Sequence, residues 1–385
     1  MKSVRVVLVV LLGAALSGAQ TPRSVWTVDL STLAAYKSAE LTSADSSTGF
    51  GVEFADNDTI LVEAKFLSGP HWGTDNSLEP ALSNTAIFAI DAKDGTSRNS
   101  QTWRGWRGLP AVHSGRAFYP TGGAESLTND GDLLIRLSST LEVLARRELP
   151  LNRADFNGHP QQDHWWILSD PRTRKALLVR SPFPGHGPVS QEGHWISVNT
   201  LEDESSISLP PSSAGGVGAL IGDSVLLSGG IPAKESVMIQ KGNESPRPLC
   251  AQCTGLVGGT FGSELIFLEA RHSYFVVDLE GKVFYRGGRI GGRTDTVDSV
   301  SGAITKNRVA FEFGHLGRLL EETIVVLDVD MKKEILRFVA NQKANRTSVG
   351  GFVKETFVSP QLALSPDGLK LAVLTGSVLE LFEVP

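Results

Sequence analysis

Leu362-Ala363-Leu364-Ser365-Pro366-Asp367-Gly368-Leu369-Lys370-Leu371-Ala372-Val373 reads as two apolar strands folded back on one another by a tight turn. Pro366 presets the backbone at the first corner and Asp367-Gly368 closes it, so the flanking runs must be antiparallel neighbours. Working upstream, Val52 to Val62 repeats the pattern around Asp56-Asn57-Asp58. A second pattern is a strand that ends in an acid and enters a turn. Ile87 to Asp91 leads into Lys93-Asp94-Gly95, Phe275 to Asp278 into Glu280-Gly281, and Ile324 to Asp328 into Asp330 and Lys332. Fainter copies lie at Leu133 to Leu137, Trp195 to Asn199, Val237 to Gln240 and Leu379 to Glu383. Their spacing of roughly 50 residues is that of repeating four-stranded units. No run of about 12 residues keeps a helical spacing, so helix is expected only as short turns at Leu30 to Lys37 and Leu316 to Glu322.

The Leu-Ser-Pro-Asp-Gly-x-x-Leu-Ala-Val segment at Leu364 to Val373, followed by Leu379-Glu380-Leu381-Phe382, resembles a blade of the WD40-like and YVTN-like β-propeller superfamily. The Gly-His pair and Trp-Asp dipeptide of true WD40 blades are missing, so the resemblance implies a fold and not an activity. Units end near Trp103, Pro150, Pro210, Leu249, Val297 and Phe357, and Val358 to Pro385 has room for only three more strands. The missing strand is available in Ser24 to Asp29, at the other end of the chain. Closing the ring this way removes the exposed edges of an open sheet. The expectation is an all-β, seven-bladed propeller of roughly 52 residues per blade. Six or eight blades stay open on the sequence, because Leu151 to Pro210 is long and irregular.

Successive strands such as Leu371 to Leu374 and Leu265 to Leu268 are apolar on both faces, as a sheet sandwiched between two others requires. Thr96 to Gln101 is polar, as an outer edge should be. The chain has 385 residues, of which 41% are hydrophobic and 20% charged, and so has the means to bury a large core. Its formal charge of -6 is made of both signs scattered along the chain, which argues against nucleic acid as a partner.

Lys2 and Arg5, the apolar run Val6 to Leu16 and the small residues Ser17-Gly18-Ala19 read as a secretory signal over residues 1–19, cleaved before Gln20. The expected mature protein, residues 20–385, is one monomeric propeller domain without a membrane span, exported to a periplasmic or extracellular space. The two cysteines, Cys250 and Cys253, then read as a local disulfide. Thr254 stands where haem attachment would need a histidine, and no second cysteine pair supports a zinc site.

In a propeller the connections from second to third strand and from blade to blade share one face. On this sequence that face collects His71, Trp72, Asp75, Glu125, Arg172, His186, Glu192, Arg271, His272, His315 and Arg318, with His194 adjoining. Histidines and carboxylates there can bind zinc or copper or act as a base near neutral pH, whereas polar surface loops also carry them with no role. The denser segment Gly158 to Trp166 reads mainly as structure, because the five-residue spacing of His159 and His164 matches neither a helix face nor a strand face. Gly287 to Arg293 lacks the strand-to-helix setting of a nucleotide site and reads as a loop between blades. No catalytic constellation is complete and no cofactor is required. The leading expectation is an exported, non-catalytic binding module that presents its loop face to a protein, glycan or small ligand. The alternative is a hydrolase or lyase with a histidine-rich site, with or without metal, at the channel mouth.

Overall fold

Successive strands of each sheet pair antiparallel with one another. The computed structural model describes residues 22–40, 46–68, 71–72, 78–79, 81–107, 117–130, 133–149, 164–181, 191–210, 217–228, 236–253, 255–270, 273–287, 296–314, 322–340, 344–349, 352–357 and 359–385. Seven four-stranded sheets result. In order from the innermost strand, blade 1 is 46–54, 59–68, 81–91 and 97–107, and blade 2 is 119–122, 125–130, 133–138 and 143–148. Blade 3 is 164–170, 175–181, 191–196 and 203–209, and blade 4 is 217–221, 224–227, 238–241 and 247–248. Blade 5 is 256–261, 265–270, 273–277 and 283–286, and blade 6 is 296–302, 308–314, 323–328 and 333–339. Blade 7 is 361–364, 370–375, 378–383 and, from the other end of the chain, Trp26–Asp29.

Each innermost strand touches that of the next blade, and blade 7 touches blade 1, so the sheets form a closed ring. The fold is a seven-bladed β-propeller. Closure is by pairing Trp26 with Leu381, Thr27 with Glu380, Val28 with Leu379 and Asp29 with Val378. The core lies between blades. In blade 7 the second strand sends Ala372 and Leu374 toward blade 1 and Leu371 and Val373 toward blade 6, all buried. Blade 5 repeats this, with Ile266 and Leu268 facing blade 4 and Leu265 and Phe267 facing blade 6. Near the axis the sheets approach so closely that a Cβ on Gly302 would lie 2.3 Å from the Cβ of Phe261.

The turn that decided the fold also ties three blades. Ser365 Oγ donates to Asp367 Oδ1 at 2.6 Å and accepts the N–H groups of Leu369 and Lys370, while Gly368 adopts φ +69°. Its outward groups serve the neighbours. Pro366 O accepts the N–H groups of Ile304 and Thr305 of blade 6, Gly368 O accepts Arg308 Nη1, and Asn57 Oδ1 of blade 1 accepts the N–H of Asp367 at 3.0 Å.

A 3-10 turn at Leu30–Thr32 and an α-helix, α1, at Ala34–Ala39 occupy the first of the two short helical stretches expected, with Tyr36 edge-on to Phe66. The second, 316–322, lies almost wholly outside the described residues, as does the leader. No helix among the described residues is long and apolar enough to cross a membrane. The unit expected to run to Phe357 ends earlier: blade 6 closes at Val339, and Ala344–Val349 pairs with Phe352–Phe357 as a separate hairpin. Both halves have strand composition, which is why their sequence resembles blade strands. Cys250 and Cys253, with Cα atoms 5.0 Å apart, form a disulfide where the chain leaves blade 4.

A chain beginning at Leu30 lacks the outer strand of blade 7 and bares the edge of Val378–Glu383. Light scattering should find it in dimers or larger species with a lowered Tm; an unaltered monomer would refute the closure argument. Replacing both cysteines by serine removes a very short loop constraint, worth about 2 kcal/mol in the chain-entropy model, and should lower urea stability by about that much without loss of the ring.

Candidate binding site

The innermost strands leave their free edges on the axis, around a cavity of about 470 Å³ lined by residues of all seven blades. Side chains of neighbouring blades satisfy many of those edge groups. Ser299 Oγ and Ser301 Oγ accept the N–H groups of Leu362 and Leu364, Ser228 Oγ accepts that of Val257, and Glu269 Oε1 accepts that of Val297. The wall is therefore a mixture of backbone, small hydroxyls and apolar side chains such as Leu256 and Val300, with Trp166 on the blade 3 side. Volume and mixture are those of small-molecule pockets.

One end of the channel is lined by Arg172. It sits in the 171–174 turn between the first and second strands of blade 3, where its Nε donates to Asp170 Oδ1 at 2.8 Å. Its Nη1 donates to Gly262 O of blade 5 at 3.2 Å, past blade 4, and blade 4 contributes the Gly222 N–H to Asp170 Oδ2 at 2.8 Å. Asp170 is only 1% exposed. Burial by itself pushes its carboxyl up, but the hydrogen bonds from Arg172 and Gly222 and the guanidinium charge outweigh it and hold the carboxyl below its ordinary value.

The placement of Arg172 corrects the sequence reading, which put 170–193 between second and third strands. Trp165 to Leu168 is the innermost strand of blade 3, and the connection on the opposite face is 182–190. An innermost strand is flanked by two blades just as a second strand is, so a doubly apolar run does not distinguish them. Glu125 is likewise no loop residue: it opens the second strand of blade 2 and pairs with Arg136 and Arg174.

Of the other expected site residues, His71 and Trp72 form a two-residue strand paired with Glu79 and Leu78, in the connection between the second and third strands of blade 1. His194 is on the third strand of blade 3, its ring 6.1 Å from that of Trp165, with Glu192 and Asp203 oxygens at 3.6 and 3.5 Å. These residues belong to different blades, and none is among the described residues lining the channel. Asp75, His186, Arg271, His272, His315 and Arg318 lie outside the described residues, as does most of the Gly158 to Trp166 segment. Among the described residues no three His, Cys, Asp or Glu side chains are grouped to hold a metal ion. The Asp170–Arg172 pair was missed as a site, although a proline turn with clustered charge, Asp170-Pro171-Arg172, was a readable signal.

Arg172→Met should cost roughly 3 kcal/mol at neutral pH by leaving a buried carboxylate without its partner. A depressed carboxyl contributes stability above its unfolded value of about 3.9, and that contribution is lost as pH falls through the folded value. In the variant the guanidinium charge and its hydrogen bond are gone while the N–H groups of Gly222 and residue 172 remain, so the carboxyl is depressed less. The stability gap between the two proteins, followed by urea unfolding, should therefore narrow below pH 4; a constant gap would overturn the assignment.

No protein family model matches the chain, and no curated protein does. Among solved structures it is similar to a chain from a study of two prolyl endopeptidases, at 12% identity and TM-score 0.43, over 85% of this chain and 53% of that one. It thus spans about half the length of that chain. It is also similar to a eukaryotic initiation factor, at 11% identity and TM-score 0.37 over 87% and 78% of the two chains. An uncharacterised protein, lmo1340 of Listeria monocytogenes EGD-e, matches at 10% identity and TM-score 0.47 over 85% and 88%. Likeness at this level carries no argument about activity, and the fold rests on the sheet topology itself.

Proposed function

We propose that the chain is an exported β-propeller that binds a ligand without transforming it, on the face where the second-to-third and blade-to-blade connections emerge. The difference between its two faces supports this reading. On one face the connections between first and second and between third and fourth strands never exceed six residues. Several are tied across blades: Arg136 Nη1 donates to Asn199 O at 2.6 Å, Ser263 N donates to Asn307 Oδ1, and Lys370 Nζ donates to Asn57 O. On the other face connections reach 21 residues, at 340–360. Long connections on a rigid ring are where recognition residues concentrate. Arg172 is one of these ties on the short-turn side, reaching from blade 3 past blade 4 to Gly262 O of blade 5.

The mature protein should retain a ligand from glycan and peptide arrays and return it chemically unchanged. Hydrogen exchange with that ligand bound should slow in the long connections and leave the short turns unaffected. Slowing confined to the short-turn face would overturn the reading. Release of a cleaved or unsaturated product, abolished when His71, His186, His272 and His315 are all replaced by alanine, would instead favour the hydrolase or lyase alternative. Binding that survives that fourfold replacement excludes these histidines from the site.

A further inference from the structure

The wall of the axial cavity holds hydrogen-bonding groups that the ring itself does not use. Ser228 Oγ, Ser299 Oγ and Ser301 Oγ each accept a main-chain N–H from the next blade, which fixes the hydroxyl and leaves its proton to donate. Among the described residues no acceptor takes any of the three. Trp166 and Gln361 line the same cavity, and among the described residues neither the indole N–H nor the side-chain amide has a partner. These groups come from blades 3, 4, 6 and 7 and so surround the axis.

The main chain supplies further groups. The innermost strands of blades 4 and 5 carry bulges at Gly218 and Gly258, and a bulge takes one residue out of the ladder. Both glycines line the cavity. Neither has room for a side chain: a Cβ on Gly218 would lie 2.5 Å from the Cβ of Val257, and one on Gly258 would lie 2.9 Å from the side chains of Phe267 and Val300. The wall at these two places is therefore backbone. Leu256, Val300 and the Trp166 ring add apolar surface.

Charge, by contrast, is already matched. The charged side chains of the lining are Glu53 and Arg172. The Arg172 guanidinium is engaged by Asp170, Gly262 O and Thr260 Oγ1, and Glu53 Oε1 accepts the N–H of Phe54. An ionic ligand would lose its hydration there without gaining an opposite charge. We propose that the channel binds a neutral pyranose sugar. Hydroxyls around a sugar ring donate and accept on every side, as the wall does, and the C–H surface between them matches the apolar residues. An ester or ketone only accepts and leaves the carbonyls of the wall unmatched. The cavity of about 470 Å³ falls within the roughly 300–1,000 Å³ of small-molecule sites. This site is the channel itself, separate from the loop face.

The test is isothermal titration of the intact mature protein with methyl glucoside, methyl galactoside and methyl mannoside, each beside its uronate. Saturable binding of at least one neutral sugar is expected, with its uronate bound at least about tenfold more weakly. Trp166→Phe/Gln361→Leu breaks no hydrogen bond among the described residues and should leave Tm unchanged. It should weaken the sugar about tenfold, as the loss of two ordinary hydrogen bonds implies. Gln361→Leu alone should give a smaller loss in the same direction, which keeps the test valid if the double variant folds poorly. Binding of none of the three sugars, undiminished binding by both variants, or a uronate bound as tightly as its neutral counterpart would overturn the proposal. In any of those cases, slowed exchange in the long connections with an array ligand would still uphold the loop-face reading.

Discussion

Everything in this molecule depends on the seventh sheet being made from both ends of the chain. A single blade is apolar on both faces and cannot bury either alone; it is stable only between two others. Were the fourth strand of blade 7 not supplied by Trp26–Asp29, the last sheet would end in a bare strand at Val378–Glu383. The same sheet carries the turn at Ser365 to Lys370 that bonds to blade 6 through Pro366 O and to blade 1 through Asn57. Magnitudes assign the roles. Each fully buried Leu or Val between blades is worth roughly 1.5–3 kcal/mol, whereas a typical hydrogen bond nets about 1 kcal/mol. Apolar contact between sheets therefore supplies the stability, and the turn bonds fix which sheet neighbours which.

Bringing seven strands to one axis creates a second problem, since each arrives with an unpaired edge. The chain answers with side chains from adjacent blades, serine hydroxyls at Ser228, Ser299 and Ser301 and the carboxylates of Glu269 and Asp170. Residues with room for little more than backbone, such as Gly302, let the strands converge. What is left on the axis is a cavity of mixed polar and apolar lining, with Arg172 at one end. Its guanidinium links blade 3 to blade 5, so the same group that lines the channel also braces three consecutive blades.

The ring was legible because its determinants are local. Leu364 to Val373 specifies a hairpin within ten residues, and Trp26 to Asp29 could be assigned to blade 7 by counting strands alone. The site was less legible because its determinants are not local. Nothing in Asp170-Pro171-Arg172 says that the guanidinium reaches Gly262, ninety positions on, and the strand before it reads the same whether innermost or second. His194 adjoined a loop by sequence and stands on a strand by structure, held beside Asp203, whose carboxyl the Arg147 hydrogen bond keeps low. The 344–357 hairpin shows the converse limit. Its residues have strand chemistry, and composition cannot tell a blade strand from a strand added outside the blades.

The two faces of the ring follow from the same geometry and lead to different chemistry. Turns that must bond to the next blade are confined to short lengths, because an inserted residue would move Asn57, Asn307 or Asn199 away from its partner across the gap. The opposite connections vary widely in length although some are also tied, as where Ser228 Oγ accepts the N–H of Val257, and insertion there changes length without opening the ring. Blade 1 shows what that freedom allows: strands continuing beyond the plane of the ring with their ladder intact, from Thr85 and Trp103 to Ala81 and Arg107. A strand extended past its neighbours gains nothing from burial between blades.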